Sequence, residues 1–245
     1  MRIPFPRAVT AAMILLALSS SNAWAQEITF SLGDEGSLTG RTITFIALIT
    51  VLSLAPGLAI MVTCFPFIVT VLSILRQAIG LQQSPPNMLI VSLSLFLTWF
   101  IMEPVFTEAW TAGVQPMIDG STEVEAAFGA GMAPFRTFMA NRIDAETFAA
   151  LAELRPGVDS GELAGAPLSL LVPSFLLSEI SRAFQIGFLI FLPFLIIDLV
   201  VSAVLMSMGM MMVPPAIVSL PFKLAFFVMA DGWTLISGAM VRSYF

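Results

Sequence analysis

One carboxylate, Asp198, stands inside the run Phe191-Leu192-Pro193-Phe194-Leu195-Ile196-Ile197-Asp198-Leu199-Val200-Val201. An isolated charge at mid-membrane costs about 3 kcal/mol on insertion scales. Asp198 therefore needs a partner, a bound proton, or a wet or protein-lined interior to face. Lys223, on the following apolar segment, is the first partner to consider within the chain, and Arg182 of a neighbouring copy is the other. A proton relay is the chemically active reading; a structural ion pair or buried hydrogen bond is the architectural one. Glu179 and Arg182, three residues apart, can share a helical face just before the same apolar stretch, as an intersubunit or headgroup-level pair or as an ordinary exposed one.

A second cluster works by softness rather than charge. Met210-Met211-Met212 follows Gly209 and precedes Pro214-Pro215, at the break between two long apolar stretches. Flexible thioethers fill irregular gaps. Either these side chains pack against neighbouring helices or, with several copies around one axis, they form an apolar gasket that blocks ions at rest.

Other chemistry is missing from the sequence. It contains no histidine and one cysteine, Cys64, which lies in an apolar segment, so a His-Glu-x-x-His zinc site and a thiolate cluster are both excluded. There is no Gly-x-Ser-x-Gly elbow and no phosphate-binding loop. These absences point away from an enzyme and call for no cofactor or metal. A transporter, a scaffold and a pore subunit remain. A transporter wants internal repeats and polar groups converging at mid-depth, against one deep acid and no visible repeat here. A scaffold needs no gate.

The elements that position these residues are set by solvent. The 245-residue chain is 58% hydrophobic and 11% charged, against about 25% charged in soluble domains. Arg2 and Arg7, an apolar run over 8–18, and Ala23-Trp24-Ala25 follow the order of a signal peptide cleaved before Gln26. Its removal takes two arginines and no acid, moving the formal charge from −6 to −8, with no basic surface for nucleic acid.

Four apolar passes follow, over about 43–75, 88–110, 183–208 and 211–229. The first is interrupted at Pro56-Gly57 and Pro66, and residues 168–177 are too short to span and lead into the third. Pro193 predicts a bend in that third helix, because proline removes one helical hydrogen bond. Residues 108–165 form an insert with nine acids and three bases. Within it, residues 134–155 read as one or two amphipathic helices, since Phe135, Phe138, Met139, Phe148 and Leu151 recur near helical spacing. Asp231 is placed to cap a short helix after the fourth pass, and Trp99 and Trp233 read as interfacial anchors. The expected domains are a signal peptide (1–25), an N-terminal helical hairpin region (26–107), the acidic insert on the outer, periplasmic side (108–165) and a C-terminal hairpin region carrying the methionines (166–245). The fold class is all-α and membrane-associated.

From about Thr63 onward the chain resembles the FliP/SctR family of type III secretion export-gate proteins. The resemblance is carried by Leu75-Arg76-Gln77-Ala78-Ile79-Gly80, Pro85-Pro86-Asn87, Phe184-Gln185-Ile186-Gly187-Phe188, the run around Asp198, Met206-Ser207-Met208-Gly209-Met210-Met211-Met212-Val213-Pro214-Pro215, Ser219-Leu220-Pro221-Phe222-Lys223-Leu224 and Asp231-Gly232-Trp233. It implies broken helical hairpins that self-associate in a helical ring. The ring would be joined by FliQ-like and FliR-like subunits and raised toward the periplasmic side of the inner membrane at the flagellar basal body.

The resemblance further implies Met210, Met211 and Met212 as the gate. Phe188, Met206 and Met208 would line or support the path, and Glu179, Arg182, Asp198 and Lys223 would hold subunit architecture. Unfolded flagellar proteins would be the cargo, with FlhA-like and FlhB-like components as export partners and membrane lipid around the ring. The signal peptide favours a flagellar gate over the equivalent subunit of a virulence injectisome.

Overall fold

The computed structural model describes residues 38–81, 85–155, 163–210 and 212–245; the signal-peptide segment and Met211 lie outside them. Every regular element among the described residues is helical. The chain divides into two units, Met1–Leu52 and Ser53–Phe245. The described part of the first is the start of α1 (Leu38–Met61), whose side chains from residue 42 to 54 are all exposed.

The expected break at Pro56-Gly57 does not occur, because α1 runs through Pro56. The chain breaks at residues 62–64 instead. Thr63 holds the break, its hydroxyl donating to the Ile60 carbonyl (2.8 Å) and accepting the Phe65 N–H (3.3 Å). Pro66 then falls in the first turn of α2 (Phe65–Ile79), where its missing N–H has no helical partner to lose.

At about 22 Å, α2 is too short to cross a bilayer, and it lies at the centre of the fold. Phe67, Ile68, Val71, Leu72, Leu75, Ala78 and Ile79 are all buried. Burial of each large side chain contributes about 1.5–3 kcal/mol. They form one core with Ile90, Ile101 and Met102 of α3 (Asn87–Ala109), Ala183 and Phe194 of α7 (Leu168–Ser207), Phe227 of α8 (Pro215–Met229) and Met240 of α9 (Gly232–Arg242). Gly187 lets α7 approach α2 closely, since a Cβ there would lie 2.4 Å from Ile74 Cδ1.

The helix α3 tolerates Glu103 and Pro104 and continues through a wide π turn, Trp110–Val114, into the short α4 (Gln115–Ile118). The insert then returns as two helices, α5 (Val124–Ala140) and α6 (Ala145–Glu153). Its amphipathic pattern builds a second core, in which Met139 and Phe148 pack with Ala166, Leu170, Leu171 and Phe175. The insert is therefore docked on the first turns of α7.

Residues 168–177 lead into the third pass, as expected, and do so without a break. They open a single helix of 40 residues, which at 1.5 Å per residue is about 60 Å long, twice a hydrocarbon core of about 30 Å. Ser174 and Ser178 are buried in this stretch and satisfy their hydroxyls within the helix, on the Leu170 and Ser174 carbonyls, each at 2.8 Å. The helical backbone also continues through Pro193.

Helices α8 and α9 meet at 60°. Asp231, in the left-handed region (φ 48°), makes that corner. It occupies the capping position, but its carboxylate accepts from the Thr234 hydroxyl (3.2 Å) and not from a backbone N–H. Trp99 stacks on Phe106, and Trp233 meets Phe227 edge to face.

Where the π turn crosses α5, a Cβ on Gly113 would lie 2.7 Å from both the Ala127 carbonyl oxygen and Gly131 Cα. Backbone cannot yield as a side-chain tip can. Gly113→Ala should therefore lower stability by about 1–3 kcal/mol, read as thermal unfolding in detergent. Gly129→Ala on α5, with nothing within 4 Å, should be neutral or stabilising by about 0.5–1 kcal/mol.

Candidate functional site

The methionines sit on a helix-ending turn. Gly209 takes φ +73°, and its N–H donates to the Met206 carbonyl (3.0 Å) while the Met210 N–H reaches back to the Leu205 carbonyl (3.0 Å). This pair of bonds satisfies the last carbonyls of α7, and only glycine adopts the required conformation without strain. Pro214 and Pro215 then start α8. Met212 is 98% exposed and Met210 41% exposed, while Met206 and Met208 also face outward. Phe188, further back on α7, is exposed next to the buried Gly187.

The hairpin carrying this turn is fastened by Asp198 and Lys223. Lys223 Nζ lies 2.6 Å from Asp198 Oδ2, and the Ser219 hydroxyl donates to Asp198 Oδ1 at 2.6 Å. The same ammonium donates to the Ala78 carbonyl at 3.1 Å. That carbonyl is one of the unpaired acceptors at the end of α2, where a cation is also favoured by the helix dipole. One lysine thus joins three helices.

Glu179 lies about 29 Å further back along α7 by helical rise and is fully buried. Its Oε1 accepts from Arg142 Nε (2.9 Å) and Arg182 Nη1 (3.2 Å), and its Oε2 accepts from the Tyr244 hydroxyl. Arg142 also donates to the Ser243 carbonyl (2.7 Å) and lies 4.0 Å from the centre of the Tyr244 ring. Burial pushes the Tyr244 hydroxyl well above its ordinary value, and the Glu179 carboxylate adds to this, so the hydroxyl remains a donor.

Sequence reasoning paired Glu179 with Arg182 alone and assigned no role to any residue of the insert. Arg142, in the loop between α5 and α6, is nevertheless the nearer partner. Beside it, the Asp144 N–H donates to the Ser178 hydroxyl (2.9 Å). The Asp144 carboxyl, held below its usual range first by the Thr147 backbone N–H and then by the Thr147 hydroxyl, caps α6. No group of three His, Cys, Asp or Glu residues comes together to hold a metal among the described residues.

Three helices among the described residues, Thr42–Met61, Asn87–Ile118 and Leu168–Ser207, are long and apolar enough to cross a membrane, and with the charges that tie helices to one another they define a helical membrane protein. A FliP family model matches residues 48–240. The chain is 48% identical over 234 residues to the flagellar biosynthetic protein FliP of Caulobacter vibrioides, covering 95% of this chain and 88% of that protein. It is 44% identical to the FliP of Agrobacterium fabrum (96% and 98% covered) and 42% identical to that of Bacillus subtilis (88% and 97% covered). The chain belongs to the FliP family.

Removing the Glu179 charge strands two guanidinium groups, one of them almost buried. Glu179→Gln should cost about 3–5 kcal/mol, and Tyr244→Phe, which deletes one bond to a charged acceptor, about 1.5–3 kcal/mol. Thermal unfolding of the purified protein checks both.

Proposed function

We propose that this chain is a core, pore-forming subunit of the flagellar type III protein export gate. Copies of it assemble in a ring with FliQ-like and FliR-like subunits and conduct unfolded rod, hook and filament proteins across the inner membrane. Family membership over residues 48–240 carries the reading, and every relative named above is a flagellar biosynthetic protein. That naming favours the flagellar gate over its injectisome counterpart.

The geometry supports a passive conduit. Met210, Met211 and Met212 close around the path at rest and deform around a passing chain, as unbranched thioethers are suited to do. Phe188, Met206 and Met208 line or support the path. Pro193 bends α7 around the ring axis. The Asp198–Lys223 and Glu179–Arg182 pairs hold subunit architecture, energy and cargo selection come from a separate ATPase and a proton-driven, FlhA-like component, and an FlhB-like component is a further export partner. A helix of about 60 Å with most of its side chains outside the subunit core suits a ring raised toward the periplasm, where apolar surface meets other subunits as well as lipid. The acidic insert lies on that periplasmic side.

Changing Met210, Met211 and Met212 together to alanine tests this assignment. In cells where the complex still assembles, hook-protein export should change or a small-ion leak should appear. Normal export with no leak would remove the gasket role.

A further inference from the structure

An apolar groove of about 560 Å³ runs between α7 and α8 immediately beside the methionine turn. Ile197, Val201 and Leu205 wall it on α7, Val218 faces them from α8, and Met208 and Met210 stand at its end. All of its lining residues are apolar. We infer that this groove is the recess into which Met208 and Met210 withdraw when a polypeptide passes, an inference that rests on the gate reading above.

The argument is one of volume. Packed protein interiors are as dense as organic crystals and do not compress to make room. Side chains that close a path therefore need an existing void to enter when it opens. Another apolar hollow of comparable size, lined by residues that include Phe65, Trp99 and Phe135, includes no residue of the turn. Met210, at 41% exposure, already stands partly inside the groove.

The fold supplies the means of movement as well. Gly209, with φ +73° and nothing within 4 Å of where a Cβ would be, separates the two methionines. Thioether side chains have enough free torsions to turn from the axis into the groove without backbone rearrangement. Entry removes apolar surface from water, so the withdrawn state is favoured as soon as contacts between copies at the axis are broken. The gate then has two positions for the same side chains, and passing cargo selects between them.

Filling the groove tests this. Val218→Phe occupies it from the α8 side without altering any methionine. In cells with the complete export complex, the ring should assemble and the resting ion leak should stay at its normal level, while hook-protein export falls by about tenfold. Adding Met210→Ala to Val218→Phe should restore export, because the shortened side chain needs no recess.

Normal export in an assembled Val218→Phe ring would overturn the inference. If Val218→Phe does not assemble, Val201→Leu, one methylene larger, is read the same way. Export should drop with the leak unchanged, and normal export counts against the recess. The gate reading fails separately, if Met210→Ala and Met212→Ala in the otherwise unaltered chain change neither leak nor export.

Discussion

Two carboxylates on one apolar helix constrain the rest of this fold. Glu179 and Asp198 both lie on the 40-residue α7, Glu179 fully buried and Asp198 partly exposed within an apolar run, and an unpaired charge in either place is costly. The chain answers each with a cation from a different helix or loop and with a hydroxyl donor. Arg142 and Tyr244 bring the insert and the residues after α9 to Glu179. Lys223 and Ser219 bring α8 to Asp198, and Lys223 extends to the Ala78 carbonyl at the end of α2. Ion pairs of this kind add little net stability over a well-packed apolar substitute, but a broken one is severely destabilising. They therefore fix which helices meet, while the apolar core around α2 supplies most of the driving force.

The position of the second pair matters for the methionine turn. From Asp198 to the end of α7 is under three turns, and Lys223 is about two turns into α8. The hairpin is pinned just behind the turn and left open beyond it, so the methionine tip stands outside the locked part of the fold, while the groove runs from the tip back to the level of the pin. A rigid hairpin ending in soft side chains suits a seal that must deform locally without loosening the subunit.

Much of this was legible in the sequence, for identifiable reasons. Asp198 and Lys223 stand in apolar stretches with few other polar residues, so few pairings were open to either. The insert's phenylalanines recur at helical spacing, which disclosed α6 and the second part of α5, while the first turns of α5, from Val124, carry no such pattern. Other features were not legible. Hydropathy scores burial against protein and burial in lipid alike, so α2 was absorbed into the first pass although it is a buried core helix too short to span. Proline marked Pro56 as a break as strongly as Pro66, and only tertiary placement distinguishes a helix's first turn from its interior. Arg142 lies 37 residues from Glu179 in a polar segment where an arginine excites no interest. Tyr244, the only tyrosine in the chain, was the one available hint that a specific donor was needed.

A methionine turn that closes around the exported chain must touch it. The most direct test places a photo-crosslinking amino acid at Met212 in complexes stalled with a partly exported hook protein, with the same group at Leu154, an exposed position after α6, as the control. The account predicts crosslinks to the substrate from position 212 and none from position 154. Substrate crosslinks absent from 212, in complexes shown by their trapped cargo to be stalled in mid-export, would contradict it.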